Sequence, residues 1–292
     1  MELRHIPFVK MNGLGNDFVM IDARADPFSL SAAAAGEIAS RTTGAGCDQV
    51  IVIEPSRFAD VFMRVLNADG SEAGACGNAS RCVAALLHQS LGQNQLSIET
   101  RSGIIAAQIG RNGLVSVDMG TPRFAWDEIP LARPAGDTRA IDLTFALSEG
   151  RKLKSPSVVN VGNPHCIFWV YEAGSYDLAS FGAELERHPL FPERANISLA
   201  EVIDRGAIGL RVWERGTGIT RACGTAACAA AVAGARTGRT GRDVDVHLPG
   251  GFLSIEWRAA DDHILMTGPA EFEFNGVIHI NGSGITVEAA QP

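Results

Sequence analysis

The 292-residue sequence lacks any continuous apolar stretch of membrane-spanning length, and its longest small-apolar run, ACAAAVAGA at 227–235, stops well short of the ~20 residues a bilayer requires. The first residues, MELRHIPFVKMNGLGNDF, scatter charge where a signal peptide needs an unbroken apolar core, so no leader is expected and a cytoplasmic location follows. Positive charge is also scarce. Lys and Arg total 25 against 33 Asp and Glu, a formal charge of −8, which argues against nucleic acid as a partner and for a small molecule. The six cysteines (Cys47, Cys76, Cys82, Cys166, Cys223 and Cys228) form no C-x-x-C pair, and His5, His88, His188, His247, His263 and His279 show no metal-ligand spacing. A zinc ribbon, a thioredoxin-type motif and a metal centre are therefore not expected, and in a cytoplasmic chain a disulfide framework is not expected either. The glycine-rich NGLGN lacks the lysine and the spacing of a phosphate loop.

What is present is a folded composition, 46% apolar and 20% charged with 32 glycines, in a length that suits two ordinary domains. The chain also contains a repeat. Cys76 and Cys223, each in an ACG tripeptide, lie 147 positions apart. At the same offset RVLNADG (64–70) falls on RVWERGT (211–217), placing Asn67 on Glu214; Gln49 falls on Asn196, and Gly15-Asn16 on Gly162-Asn163. With one extra residue SGIIA (102–106) falls on GGFLS (250–254). These matches define two copies of one unit, approximately 8–122 and 157–270.

Within each copy FVMIDA, QVIVIE, DVFMRVLN and IGLRVWE read as strands, being short, β-branched or aromatic, and bounded by turn residues. NASRCVAALLHQSL, stopping at Gly92, and TAACAAAVAGARTG read as helices. The fold expected is α+β: two pseudo-symmetric domains from an internal duplication, each a sheet or barrel wrapped around a central helix, with the active-site cleft between them. The domains are residues 1–122 with about 275–292, carrying Cys76, and residues 123–274, carrying Cys223. PLARPAGDTRA (130–140) reads as the linker, and GVIHINGSGITVEAAQP as a strand returning to the first domain.

Taken alone, either cysteine reads as a buried structural thiol. The repeat changes that reading, because both begin a helix, where free backbone N–H groups and the helix dipole favour a thiolate and, beside the following glycine, a carboxylate. Two such sites facing one cleft suit stereoinversion at an α-carbon, in which one thiolate removes the proton and the other thiol reprotonates the opposite face. The carbanion is then stabilised by the helix termini in a dry site, and no cofactor is needed. The matched amides Asn16, Asn163, Gln49, Asn196 and Asn67 can orient ammonium and carboxylate groups without competing for the proton. Glu214 and Arg215, present in the second copy alone, suggest a substrate with a second charged end. Cys47, Cys82, Cys166 and Cys228 are expected in the core.

The segments MNGLGNDF, GCDQ, FMRVLNADGSEAGACGNASRC, VGNPHC, FPERANI, RVWERGTGITRACGTAACAA and LPGGFLSIEW together resemble the diaminopimelate epimerase family over essentially the whole chain. The resemblance implies a cofactor-independent isomerase that interconverts LL- and meso-diaminopimelate for lysine and peptidoglycan precursor biosynthesis. It makes Cys76 and Cys223 the acid/base pair and has His165 and Glu214 tune their acidity. Substrate contacts fall to Asn16, Gln49, Asn67, Asn163, Asn196, Glu214 and Arg215, with backbone contacts at Gly77, Asn78, Gly224 and Thr225. It further implies a homodimer with Phe274 at the interface, and an inactivating disulfide between the two thiols. Ala79-Ser80 and the ANISLAEVI continuation depart from the family's usual residues. Three alternatives remain at this point: a racemase acting on proline, hydroxyproline or histidine on the same fold, a thiol redox protein, and a non-catalytic amino-acid binder.

Overall fold

The protein is described by a computed structural model covering residues 4–148, 150–281 and 284–289. The chain separates into two units, Met1–Val117 with Gly268–Pro292, and Asp118–Thr267. The first runs through strands β1 (Arg4–Asn12) and β2 (Asp17–Asp22), helix α1 (Ala32–Ala39), β3 (Gln49–Glu54), β4 (Val61–Asn67), β5 (Glu72–Ala73), helix α2 (Gly77–Leu91), β6 (Gln95–Thr100), β7 (Gly103–Ile109) and β8 (Val115–Asp118). The second has the small hairpin β9 (Thr144–Ala146) and β10 (Lys152–Lys154), then β11 (Ser157–Asn160), β12 (Pro164–Val170), α3 (Leu178–Glu186), β13 (Asn196–Asp204), β14 (Ala207–Glu214), β15 (Gly218–Thr220), α4 (Gly224–Arg236), β16 (Asp243–Leu248), β17 (Gly251–Trp257) and β18 (Ile264–Gly268). β19 (Glu271–Asn281) and β20 (Gly284–Ala289) return to the first unit.

The duplication shows in strand register as well as in sequence. β2 and β3 are parallel with Phe18 opposite Gln49; β12 and β13 are parallel with His165 opposite Asn196, both residues shifted by the same offset. β3 pairs antiparallel with β4 and β13 with β14, and each of β4 and β14 then takes a parallel partner, β6 or β16. Parallel neighbours need a crossover, and each of the four is spanned by a helix: α1, α2, α3 or α4. The fold is α+β with two pseudo-symmetric halves.

Burial explains the choice of residues. QVIVIE in β3 is buried along four consecutive positions, as befits a strand covered on both faces. α4 is buried nearly all round, from Ala226 to Gly234, and touches β11, β12, β13, β14, β16 and β17; its run of alanines allows that many strands to approach. α2 ends where the sequence places its stop, at Gly92, whose φ of 69° lies in the left-handed region.

Three features differ from the sequence reading. α1 and α3, of eight and nine residues, were not expected; each is too short to show a clear period. PLARPAGDTRA is no free linker: Leu131 is buried with Ile129, Ile141 and Leu143 in the core of the second unit, and Ala132 N donates to Leu190 O at 2.9 Å. The returning segment is a hairpin, β19 pairing antiparallel with β1 from Ile280 opposite Arg4 to Glu271 opposite Asn12, and β20 lying on its other side. Residues 282, 283 and 290–292 of the expected strand lie outside the described residues.

α3 is held tightly against β14. A Cβ on Gly182 would lie 2.5 Å from the Trp213 ring, whose Nε1 donates to Glu186 Oε2 at 2.7 Å. Gly182→Ala should therefore destabilise the protein by about 1–3 kcal/mol in urea unfolding, whereas Gly174→Ala, with no atom near its Cβ, should stay within about 0.5 kcal/mol of wild type.

Candidate active site

Both cysteines cap a helix in extended backbone conformation, Cys76 at φ −147°, ψ 111° before α2 and Cys223 at φ −137°, ψ 111° before α4. Neither helix has a side-chain cap, so backbone N–H groups of the first turn remain directed at whatever occupies the end. Gly77 and Gly224 follow, and no Cβ hinders a ligand there.

In the first unit the amides form a short chain beside Cys76. Its Sγ lies 4.0 Å from Asn16 Oδ1, which also accepts from Asn78 Nδ2 at 3.4 Å. Asn16 Nδ2 donates to Asp48 Oδ2 at 2.7 Å, which fixes the amide with its oxygen toward the sulfur. Asp48 is held in turn by Arg41 at 2.7 Å, and Arg41 also grips Asp17, which takes a 2.6 Å ion pair from the buried Lys10. Burial works against the Asp17 carboxylate, but hydrogen bonds from Arg41 and Lys10 prevail and hold it well below the usual carboxylate range. Gln49 and Asn67, opposite each other on β3 and β4, bond directly, Nε2 to Oδ1 at 2.8 Å, and Asn67 Nδ2 continues to Ser71 Oγ at 2.9 Å. The Gln49 Oε1 oxygen is buried without a partner, an acceptor open to a donor such as an ammonium group.

In the second unit Cys223 is 5% exposed, with Sγ 3.5 Å from Thr225 Oγ1. Burial pushes its thiol well above the ordinary value, and the negative charge of Glu214 adds to the effect; Thr225 and the Ala226 N–H oppose it without prevailing. The raised acidity expected of a helix N-terminus is thus reversed here, because desolvating a thiolate outweighs a dipole worth about 1 kcal/mol. Glu214 accepts from Thr220 Oγ1 at 2.5 Å. Asn196 is pinned on both sides, its Nδ2 donating to Pro164 O at 3.1 Å and its Oδ1 accepting from Arg215 N at 3.0 Å. The exposed Arg215 guanidinium donates from Nη1 to Glu193 O at 3.0 Å. His165, fully buried, meets Asn163 Oδ1 through Nε2 at 2.7 Å, and its Nδ1 is buried without a partner. Burial, with the nearby Arg215 charge, lowers the imidazole to about 3, so it is neutral at physiological pH and donates from Nε2.

Cys47, Cys82, Cys166 and Cys228 are all buried. Burial pushes Cys47 up to about 11 and Cys82 to about 12, and raises Cys166 as well. Phe274 on β19 is partly buried and stacks edge-on against Phe8, centroids 6.1 Å apart. Among the described residues no cluster of three or more His, Cys, Asp or Glu side chains is arranged for a metal ion, and no helix is long and apolar enough to cross a membrane.

The sequence reading missed the supporting residues. Asp48 sits in GCDQ beside Gln49, but an aspartate in a polar loop reads as a turn former. Glu186, on the unforeseen α3, holds the Trp213–Gly216 turn by accepting from Trp213 Nε1 and, at 3.1 Å, from Gly216 N.

Solved structures share this architecture. A hydroxyproline epimerase from Agrobacterium vitis aligns with a TM-score of 0.67 over 96% of this chain and 93% of its own, at 15% identity. A phenazine biosynthesis protein of the PhzF family from Bacillus anthracis aligns at 0.65, covering 96% and 100%, at 17% identity. The class is therefore a duplicated α+β protein of the fold on which these proteins are built. Residues 8–125 and 157–273 match the family model described as diaminopimelate epimerase. Relatives named diaminopimelate epimerase are 50% identical over 94% of this chain in Rhodopseudomonas palustris and 52% identical over 92% in Brucella canis, covering 95% and 89% of their own lengths. The chain belongs to the diaminopimelate epimerase family.

Two outcomes follow from the buried groups. In reduced native protein at about pH 8, iodoacetamide should label Cys76 first, with Cys47, Cys82, Cys166 and Cys228 reacting only on unfolding; peptide mass spectrometry reads the order. For His165 the folded pKa lies below the unfolded 6.5, so its contribution to stability is complete above pH 6.5 and is lost as pH falls from there toward 3. The loss should reach on the order of 1–2 kcal/mol by about pH 5 and be absent in His165→Gln, measured as the urea midpoint at the two pH values.

Proposed function

We propose that this protein interconverts LL- and meso-diaminopimelate by a two-base mechanism, supplying meso-diaminopimelate to lysine and peptidoglycan precursor synthesis. The observation that carries the reading is the pair of cysteines, in matched register and matched backbone conformation, each capping an open helix N-terminus. One thiolate removes the α-proton and the second thiol returns a proton to the opposite face of the same carbon. The α-carboxylate takes the N–H groups at Gly77, Asn78, Gly224 and Thr225, and the same donors stabilise the enolate-like charge that develops on it. Cys223, kept protonated by burial and Glu214, suits the acid role in that step.

The remaining residues divide by charge. Asn16, Gln49, Asn67, Asn163 and Asn196 are neutral, and each is oriented by a hydrogen bond to a fixed partner. His165 contributes as a neutral imidazole that holds the Asn163 amide. Arg215 and Glu214 supply the carboxylate and ammonium recognition that a substrate with two amino-acid ends requires. No cofactor is invoked. A cytoplasmic homodimer with Phe274 at its interface completes the proposal.

The test follows isomer interconversion and α-deuterium uptake by the reduced protein with LL-diaminopimelate in D₂O. Wild type should invert the centre with solvent deuterium, and Cys76→Ala and Cys223→Ala should each lose at least about 10³-fold. Inversion of hydroxyproline or proline in place of diaminopimelate would move the substrate to the alternative reading; full activity in either alanine variant would remove the two-base mechanism.

A further inference from the structure

The duplication supplies an internal control for the two thiols. With nearly the same backbone at both N-caps, the helix termini act alike on Cys76 and Cys223, and any difference must come from burial and from side chains. At the shared offset, Asn67 of the first copy is replaced by Glu214 and Arg81 by Cys228. The second half thus gains a carboxylate beside its thiol, while the first half alone has a guanidinium in the second turn of the capped helix.

Arg81 is fully buried. A cation there opposes the helix dipole and requires desolvation, so helix stability does not account for it. Its Nη1 donates to Asn78 Oδ1 at 3.1 Å and its Nε to Pro269 O at 3.1 Å. Asn78, oriented in this way, donates to Asn16 Oδ1, the oxygen that faces Cys76 Sγ. The other charged groups around this end are Asp48, which reaches the thiol through Asn16 and is engaged by Arg41, and the exposed Glu271 and Glu273 on β19. Both glutamates act to raise the neighbouring Cys82, and Arg81 acts to lower it. Solvent screens the exposed glutamates, whereas the buried guanidinium is screened least.

We propose that Arg81 is a positioning residue for the Cys76 half of the reaction, its buried charge favouring the thiolate at Cys76 and its hydrogen bond holding the Asn78–Asn16 amide pair beside it. The inference rests on the reading of Cys76 as one of the two acid/base thiols. Glu214 acts oppositely on Cys223, so the two halves differ in the charge placed beside the thiol.

The experiment measures iodoacetamide labelling of each cysteine in the full-length reduced protein across a pH series, resolved by peptide mass spectrometry. Arg81→Met should raise the Cys76 midpoint by about one pH unit, about tenfold slower labelling near pH 7, and leave Cys223 unchanged. Arg81→Lys, which keeps the charge, should restore most of the wild-type profile. Asn78→Asp keeps the guanidinium in place but opposes it with a carboxylate; it should raise the Cys76 midpoint too, and serves if Arg81→Met does not fold. A wild-type Cys76 midpoint in a folded variant, or an equal shift at both cysteines, overturns the proposal. Failure of the underlying reading would appear elsewhere: interconversion retained in Cys76→Ala would remove Cys76 as an acid/base thiol, and diaminopimelate left unchanged by wild type would remove the epimerase.

Discussion

The structure depends on a helix that starts at a cysteine and has nothing of its own to cap it. An uncapped N-terminus leaves several N–H groups unsatisfied, a liability if buried and an asset if an anion is to be held there. Here both termini are framed by strands. The amide-bearing residues lie at or beside the ends of those strands, Asn16 before β2, Gln49 at the start of β3 and Asn67 at the end of β4, with Asn163, Asn196 and Glu214 at the matching places in the second unit. The sheet therefore serves as a rigid frame that delivers hydrogen-bonding groups, five neutral amides and one carboxylate, to the helix ends.

The two halves have kept their register and changed their chemistry. Phe18 and His165 occupy the same place on β2 and β12, and both are fully buried. Exchanging a phenyl ring for a neutral imidazole keeps the packing while providing a donor to fix Asn163, whereas Asn16 is fixed from Asp48. Asn78 and Thr225 are likewise equivalent in place but not in use: Asn78 reaches its cysteine through Asn16, and Thr225 lies directly beside its own. Such divergence gives the two thiols of one repeated unit different environments.

Much of this was legible in the sequence because the repeat is written in polar landmarks. Cys76, Asn67, Gln49 and Asn16 each meet a polar residue or cysteine at one offset, and β3, β4, β14, α2 and α4 begin and end within a residue or two of where their apolar patterns do. Three kinds of information were not legible. α1 and α3 are too short for their periodicity to show. The charged scaffold of Lys10, Asp17, Arg41 and Asp48 comes from residues spread over about forty positions that meet only when β1, β2 and the loop before β3 come together. The acidity of Cys223 was misjudged because helix position can be read from sequence whereas the degree of burial cannot, and burial proved the larger effect.

The return of β19 to β1 gives the two units different histories during synthesis. The second unit is a single continuous segment, Asp118–Thr267, and every strand it needs has been made once its end has emerged. The first unit is made from segments on either side of it: β1 finds its long antiparallel partner only when β19 follows the entire second unit. Until then one edge of β1 presents unpaired backbone groups, the kind of edge through which incomplete chains associate. Loss of β19 and β20 would therefore be felt on β1, which would keep β2 along Val9–Asn12 and lose its partner along the other edge.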